Sequence, residues 1–312
     1  MKRSSITAFA RTQSRARLKR FLAQMRGAAQ HPEDAEAIHD LRVSIRRFTQ
    51  PLRTFRAVFD PKPLKKLRRR LRKLMDACAA VRTCDVAVDV LKEAGVANGR
   101  PASIARLTAA RADAEQALRE DLKQLRKRKA SQWELKMQLL AQEGCEWNLK
   151  QDLPGNLARV LPKLAEEFFA VGTGAAAAGD DHEKLHRFRL FAKRFRYTLE
   201  LFTSFYGAEW EQGLEALRGL QDRLGAINDC VCTIALLGED RRASAAVKRL
   251  LLRREAEFQN YWRKEFASKK LAWWKHWLGA PLDQETAEKG EEPLKATVGG
   301  RRGPQPAAIA DR

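Results

Sequence analysis

A histidine followed by regularly spaced arginines marks residues 38–59 of the sequence. The candidate binding residues in this stretch are His39, Arg42, Arg46, Arg47 and Arg53. On a helix that turns about 100° per residue, all of them except Arg47 fall within roughly 60° of one another. Guanidinium groups bind phosphate oxygens in pairs, and successive turns would space them by about 5.4 Å. The pattern is therefore suited to binding a linear chain of phosphates.

A second copy of this pattern occurs 147 residues later in the sequence. It supplies His186, Arg189, Lys193, Arg194, Arg196 and Tyr197. Three further arginines, Arg69, Arg72 and Arg218, are weaker candidates. Arg72 and Arg218 occupy matching positions, with an offset of 146 residues. For these three, a solubilising outer surface and a binding role explain the sequence about equally well.

A row of cations is usually a solvated helix face, and such a face would include acidic residues four positions away. Between Arg42 and Arg56 there is no acidic residue, which favours binding. The histidines could instead be metal ligands or nucleophiles. Metal ligation needs several converging donors, whereas Asp40 lies on a different side of the helix from His39. No activating group for a nucleophile is visible. We therefore predict that the histidines donate hydrogen bonds to phosphate, and that the site has no metal, no cofactor and no catalytic residue.

The composition agrees with an anionic partner. The 312 residues include 60 Lys and Arg against 39 Asp and Glu, a formal net charge of +21. Such a surplus favours nucleic acid, inorganic polyphosphate or an anionic membrane surface. Five cysteines without a CxxC pair indicate a reducing compartment. No run of 18 apolar residues is present, so we expect a cytoplasmic protein without membrane association.

The elements that must position these side chains are helices. Apolar residues recur at helical spacing opposite the cations, and no alternating β pattern is visible. The breaks divide the chain into four helices over residues 5–130 and four over 153–278, with a linker at 131–152. The last helix is expected to run from about Arg242 to Trp277, and residues 279–312 to form a disordered tail. The repeat predicts an all-α protein of two four-helix bundles related by a pseudo-twofold axis.

The repeated motifs resemble those of the CHAD domain family, the conserved histidine α-helical domains. The resemblance covers residues 1–278 and is carried by His39-x-x-Arg42-x-x-x-Arg46-Arg47, His186-x-x-Arg189-x-x-x-Lys193-Arg194, Val81-Arg82-x-x-Asp85-Val86 and Leu220-Gln221-x-x-Leu224-Gly225-x-x-Asn228-Asp229. Thr83 stands where the family usually has aspartate. The resemblance implies non-catalytic binding of inorganic polyphosphate in a basic channel between the two bundles, and location at polyphosphate granules. The chain looks like a stand-alone member, because no acidic E-x-E-x-K strand of a CYTH enzyme domain is present.

Two other functions remain as alternatives. Phosphate contacts alone could produce general binding of nucleic acid, RNA in particular. Single-strand binders usually place aromatic side chains among the cations, whereas here the aromatics lie mostly on the core face, with Tyr197 as the exception. A metal-dependent phosphohydrolase is the weaker alternative, since no P-loop and no acidic metal cluster is visible.

Overall fold

A computed structural model describes residues 6–99, 101–128, 132–133, 147–148, 151–179, 181–206, 208–267, 271–274 and 278. The protein is all-α, as predicted. Its long helices are α1 (Ile6–Gln30), α2 (Ala35–Thr54), α3 (Pro61–Glu93), α4 (Pro101–Arg126), α5 (Leu153–Ala176), α6 (His182–Glu200), α7 (Ala208–Leu237) and α8 (Arg241–Glu265). Within these ranges no helix is long and apolar enough to span a membrane. The predicted tail at 279–312 and most of the linker at 131–152 lie outside the described residues.

Aspartate side chains fix where five of these helices begin. Asp34, Asp60, Asp152, Asp181 and Asp240 each accept a hydrogen bond from a backbone N–H in the first turn of α2, α3, α5, α6 and α8. Such a cap is worth about 1 kcal/mol of helix stability. Asp34 and Asp181 are 147 residues apart, so the two histidine helices start at equivalent positions.

Helices α1–α4 pack together, and so do α5–α8. The two halves meet where α2 lies against α6 and where α3 packs on α7. Phe55 and Phe202, offset by 147 residues, are both buried with ring centroids 6.2 Å apart, and Phe9 lies 5.5 Å from Phe202. This arrangement is consistent with the predicted pair of bundles and their pseudo-twofold relation.

A buried hydrogen bond sets the register of α2 against α6. Gln50 Nε2 donates to Thr198 Oγ1 at 2.8 Å. Together with the contact between Phe55 and Phe202, this bond makes the two helices run side by side in the same direction. Cations at equivalent positions in the two copies therefore lie next to each other.

The prediction of one helix from Arg242 to Trp277 was wrong, because the helix is shorter. Helix α8 ends at Glu265, and residues 271–274 are helical again after a break. The Trp274 ring stacks on Phe266 at 5.3 Å, and Trp274 Nε1 donates to the Glu265 carbonyl at 3.0 Å. Both rings are buried, and a continuous helix would separate them. Burial of two large aromatic rings outweighs continuation of the helix.

Gly172 on α5 provides a test of core packing. A Cβ added there would lie 2.6 Å from Cζ3 of the buried Trp262 ring. Glycine-to-alanine changes inside helices normally stabilise by up to about 1 kcal/mol. Because overpacking a core costs about 1–3 kcal/mol, Gly172→Ala is expected to lower the free energy of unfolding in urea titrations.

Gly174, two residues further along α5, is the matched control. A Cβ there would meet nothing within 4 Å, so Gly174→Ala is expected to leave stability unchanged or raise it slightly. Equal effects of the two substitutions would contradict the close packing of Trp262 on α5.

Candidate anion-binding site

Four of the predicted cations lie together between the two halves. Arg42 and Arg46 on α2 lie beside Arg189 and Lys193 on α6, and two groups on other helices complete the set: Arg82 on α3 and Asp229 on α7. We call these six residues the central cluster. Burial lowers the pKa of Arg42, and Arg46, Arg82 and Arg189 lower it further. The cluster is therefore a cationic site built from both halves of the chain.

Several donors of the central cluster are buried without a hydrogen-bond partner among the described residues. They are Nη1 of Arg42, Nε of Arg46 and Nε of Arg189. A buried donor without a partner costs free energy, and a charged one costs more than a neutral one. Fold stability does not account for three such groups at one place. An anion lying between α2 and α6 would satisfy them.

The charge of the central cluster depends on Lys193 and Asp229. Burial lowers the pKa of Lys193 to about 7, and Arg189, Arg46 and Arg42 contribute to this while Asp229 opposes it. Burial raises the pKa of Asp229, and Arg189 and Lys193 act in the opposite direction. Five cations thus surround one carboxylate, so the cluster has a positive net charge even when Lys193 is neutral.

The two histidines lie at the edge of the cluster and are exposed. His186 Nδ1 lies 3.0 Å from the Asn228 Oδ1 atom and donates to it, so Nε2 is directed elsewhere and can donate to an anion when the ring is protonated. The residue that matches Asn228 in the first half is Arg82, 146 residues earlier. Burial lowers the pKa of His39, and Arg46 and Arg82 lower it further while Glu36 raises it.

A second group of cations surrounds the C-terminal end of α2. Burial lowers the pKa of Arg53, and Arg68, Arg194 and Arg72 lower it further. Arg53, Arg72 and Arg194 were predicted from the sequence, whereas Arg68 was not. None of these four is among the charges that act most strongly on the central cluster. The predicted binding residues thus divide into two separate groups.

Arg47, Arg69 and Arg218 lie outside both groups. Arg47 is on the side of α2 that faces α1, where it lowers the pKa of Arg17. Arg69 is exposed on α3, and Arg218 pairs with Glu215 at 2.7 Å on the surface of α7. The structure therefore does not bring these three predicted residues to either group.

Arg196 and Tyr197 form a structural contact. Arg196 pairs with Glu200 and donates to Gln221 Oε1 at 2.8 Å, and its guanidinium lies 4.5 Å from the centre of the Tyr197 ring. The sequence placed Tyr197 away from the core, but the structure buries it to 8% exposure. The reason is that the cationic faces of α2 and α6 become a buried contact at this level, next to the hydrogen bond from Gln50 to Thr198.

Sequence reasoning did not select Arg82 and Arg68 as binding residues. Arg82 had a usable signal, because it stands in the first-half motif 146 residues before Asn228, the partner of His186. Arg68 belongs to a basic run on α3 in which no position is distinguished by sequence alone. In the described ranges there is also no group of three or more His, Cys, Asp or Glu arranged to hold a metal ion.

The fold and the site define an internally repeated all-α protein with a cationic site between its halves. The chain belongs to the CHAD domain family, whose model matches residues 12–238. It is similar to the crystal structure of the CHAD domain from the plant Ricinus communis, with a TM-score of 0.56 and 21% identity over 89% of this chain and 93% of that one. PptA from Streptomyces chartreusis is also similar, with a TM-score of 0.53 and 18% identity over 86% and 99% of the two chains. A comparison with curated protein sequences found no match.

Proposed function

We propose that this protein binds inorganic polyphosphate along the central cluster without changing it chemically. The observation that carries the proposal is the set of buried guanidinium donors on Arg42, Arg46 and Arg189, which have no hydrogen-bond partner in the described part of the chain. These donors lie on two helices that run side by side, so their spacing repeats along the helix axes. A linear polyanion has acceptors at regular intervals, which a single compact anion does not.

The chemistry of the cluster supports binding over catalysis. A guanidinium group stays protonated at any physiological pH, so it donates hydrogen bonds and cannot act as a base or a metal ligand. The charges of Arg189 and Lys193 oppose the rise in the pKa of Asp229 that burial causes. In this proposal the ligand is held and released unaltered. Binding of this ligand would place the protein in the cytoplasm, at polyphosphate granules where a cell forms them.

The first test is binding of polyphosphate as a function of chain length and salt, with single-stranded RNA as competitor. We expect affinity to rise with chain length, because a longer chain reaches more of the cluster. Affinity should also fall steeply with salt, since counterions are released from the polyanion on binding. RNA is expected to compete only at a large excess of phosphate, because Tyr197 is buried and offers no surface for base stacking.

Three results would contradict the proposal. Equal, weak binding of short and long chains would exclude a site that follows the polymer. Displacement of polyphosphate by RNA at equal phosphate concentration would support the nucleic-acid alternative. Phosphate release in the presence of Mg²⁺ or Mn²⁺, lost on His39→Ala, would instead support the phosphohydrolase.

A further inference from the structure

A pocket of about 340 Å³ lies between α5, α6 and the C-terminal end of α2. Its lining includes Arg53, Arg159, Lys163, Arg194, Glu167, Val160 and Leu164. We call it the α5 pocket. Its volume is near the lower end of the range of small-molecule sites. Four cationic side chains from three helices and a single carboxylate therefore enclose a space suited to a compact anion.

Three cations of the α5 pocket, Arg53, Lys163 and Arg194, make no ion pair within the part of the protein that the structure describes. Glu167 is on the same helix as Lys163, four residues later, without pairing with it. Arg159 donates to the side chain of Asn156 at 3.2 Å. Two more cations, Arg68 and Arg72, act on Arg53 from α3.

The equivalent place beside α1 contains an acid from α6 in the position of Arg53. Glu200 stands 147 residues after Arg53, and Arg17 stands 146 residues before Lys163. Burial lowers the pKa of Arg17, and the charge of Glu200 opposes that shift. Glu200 also pairs with Arg196. The fold thus accommodates an acid at this position, and in the α5 pocket a cation, Arg53, takes its place.

The α5 pocket is separated from the central cluster. Gln50 lies between Arg46 and Arg53 along α2, and its hydrogen bond to Thr198 closes the contact between α2 and α6 at that level. Arg53 itself borders the pocket, as does Thr198. A long chain held at Arg46 and Lys193 therefore does not have to enter this pocket.

We propose that the α5 pocket is a second anion site, which binds a triphosphate group. A triphosphate is compact and carries several negative charges, which matches the four cations and the small volume. The group can come from inorganic tripolyphosphate or from a nucleoside triphosphate, whose organic part would lie against Val160 and Leu164. This inference rests on the proposed function only in that Arg53 and Arg194 are among the residues predicted to bind phosphate.

The test is calorimetric titration of tripolyphosphate and ATP into the Arg42→Ala/Arg189→Ala variant, in which the central cluster is disabled. We expect one site per chain in that variant. Adding Lys163→Glu is expected to weaken triphosphate binding by about tenfold or more, since a charged contact is replaced by repulsion. Lys248→Glu on the exposed surface of α8 makes the same charge change elsewhere and should have little effect.

Lys163→Glu alone, with the central cluster intact, should leave long-chain polyphosphate binding unchanged. Loss of long-chain binding in this variant would show that the pocket is part of the central site and would overturn the proposal. Triphosphate binding that is absent, or insensitive to Lys163→Glu, would also overturn it. If triphosphate binds here while long chains do not bind the wild type, the α5 pocket stands and the proposed function fails. Tighter binding of ATP than of tripolyphosphate would identify the nucleotide as the ligand, and the reverse the inorganic ion.

Discussion

Replacing both Arg42 and Arg189 by alanine is expected to lower the affinity for long-chain polyphosphate by about a hundredfold or more. The two guanidinium groups belong to different halves of the chain and lie side by side with buried donors that have no partner among the described residues. A hydrogen bond to a charged group contributes about 1.5–3 kcal/mol, and two such groups account for the expected loss. Fluorescence anisotropy with labelled polyphosphate would measure it.

The same substitutions should leave thermal stability unchanged or increase it. In the free protein, buried cations repel one another, and their desolvation is not offset by partners. The matched control is Arg15→Ala/Arg26→Ala on the exposed surface of α1, which removes the same charge. That control is expected to change affinity only a few-fold through long-range attraction. Equal losses in both double variants would show that surplus surface charge binds the polymer and that the central cluster is not its site.

Polyphosphate affinity is expected to fall as pH rises above about 7, by up to tenfold per pH unit. The pKa of Lys193 in the free protein is about 7, because burial and its cationic neighbours disfavour the ammonium. A bound polyanion favours the ammonium, so binding takes up a proton in this range. The guanidinium groups remain charged throughout and therefore contribute no slope above pH 7. Calorimetry in buffers of different ionisation enthalpy would count the protons.

Lys193→Arg is the control for this pH dependence. Arginine stands at the equivalent position in the first copy, Arg46, and it stays charged, so the variant should bind with little change between pH 7 and 9. Folding provides an independent measurement. The folded pKa of Lys193 lies below its unfolded value, so the unfolded chain binds more protons above pH 7. The stability of the free protein should therefore rise with pH from about 7 towards 10, and Lys193→Met should remove that rise. An unchanged slope in Lys193→Met would mean that another group titrates.

Much of this architecture could be predicted because the sequence repeats. Helical periodicity placed Arg42 and Arg46 on one face and Arg189 and Lys193 on another. The offset of 147 residues then indicated that both faces have equivalent positions. Periodicity describes one helix at a time, however. Tyr197 lies close to the cationic face by angle, yet it is buried because α2 and α6 approach each other at that level.

The remaining differences also come from contacts between distant segments. Arg82 joins the central cluster because α3 packs on α7 at the boundary of the halves, which no local pattern encodes. The break after Glu265 depends on the packing of Trp274 against Phe266, whereas helix propensity alone favoured continuation of α8. The α5 pocket could not be foreseen, because Arg159 and Lys163 look like an ordinary exposed helix surface in the sequence.

Asp229 has Thr83 at the matching place in the first copy, where the threonine hydroxyl donates to the Ala79 carbonyl at 2.7 Å. The two sides of the central cluster are therefore chemically different, and because α2 and α6 run in the same direction its two ends differ as well. A linear inorganic polyphosphate chain has the same chemical structure from either terminus. Such a chain could enter in two orientations of equal free energy, and each would place identical termini in unequal surroundings. Movement of the polymer along α2 and α6 would consequently have no preferred direction of its own, and any directionality would have to come from a process that consumes or extends one end.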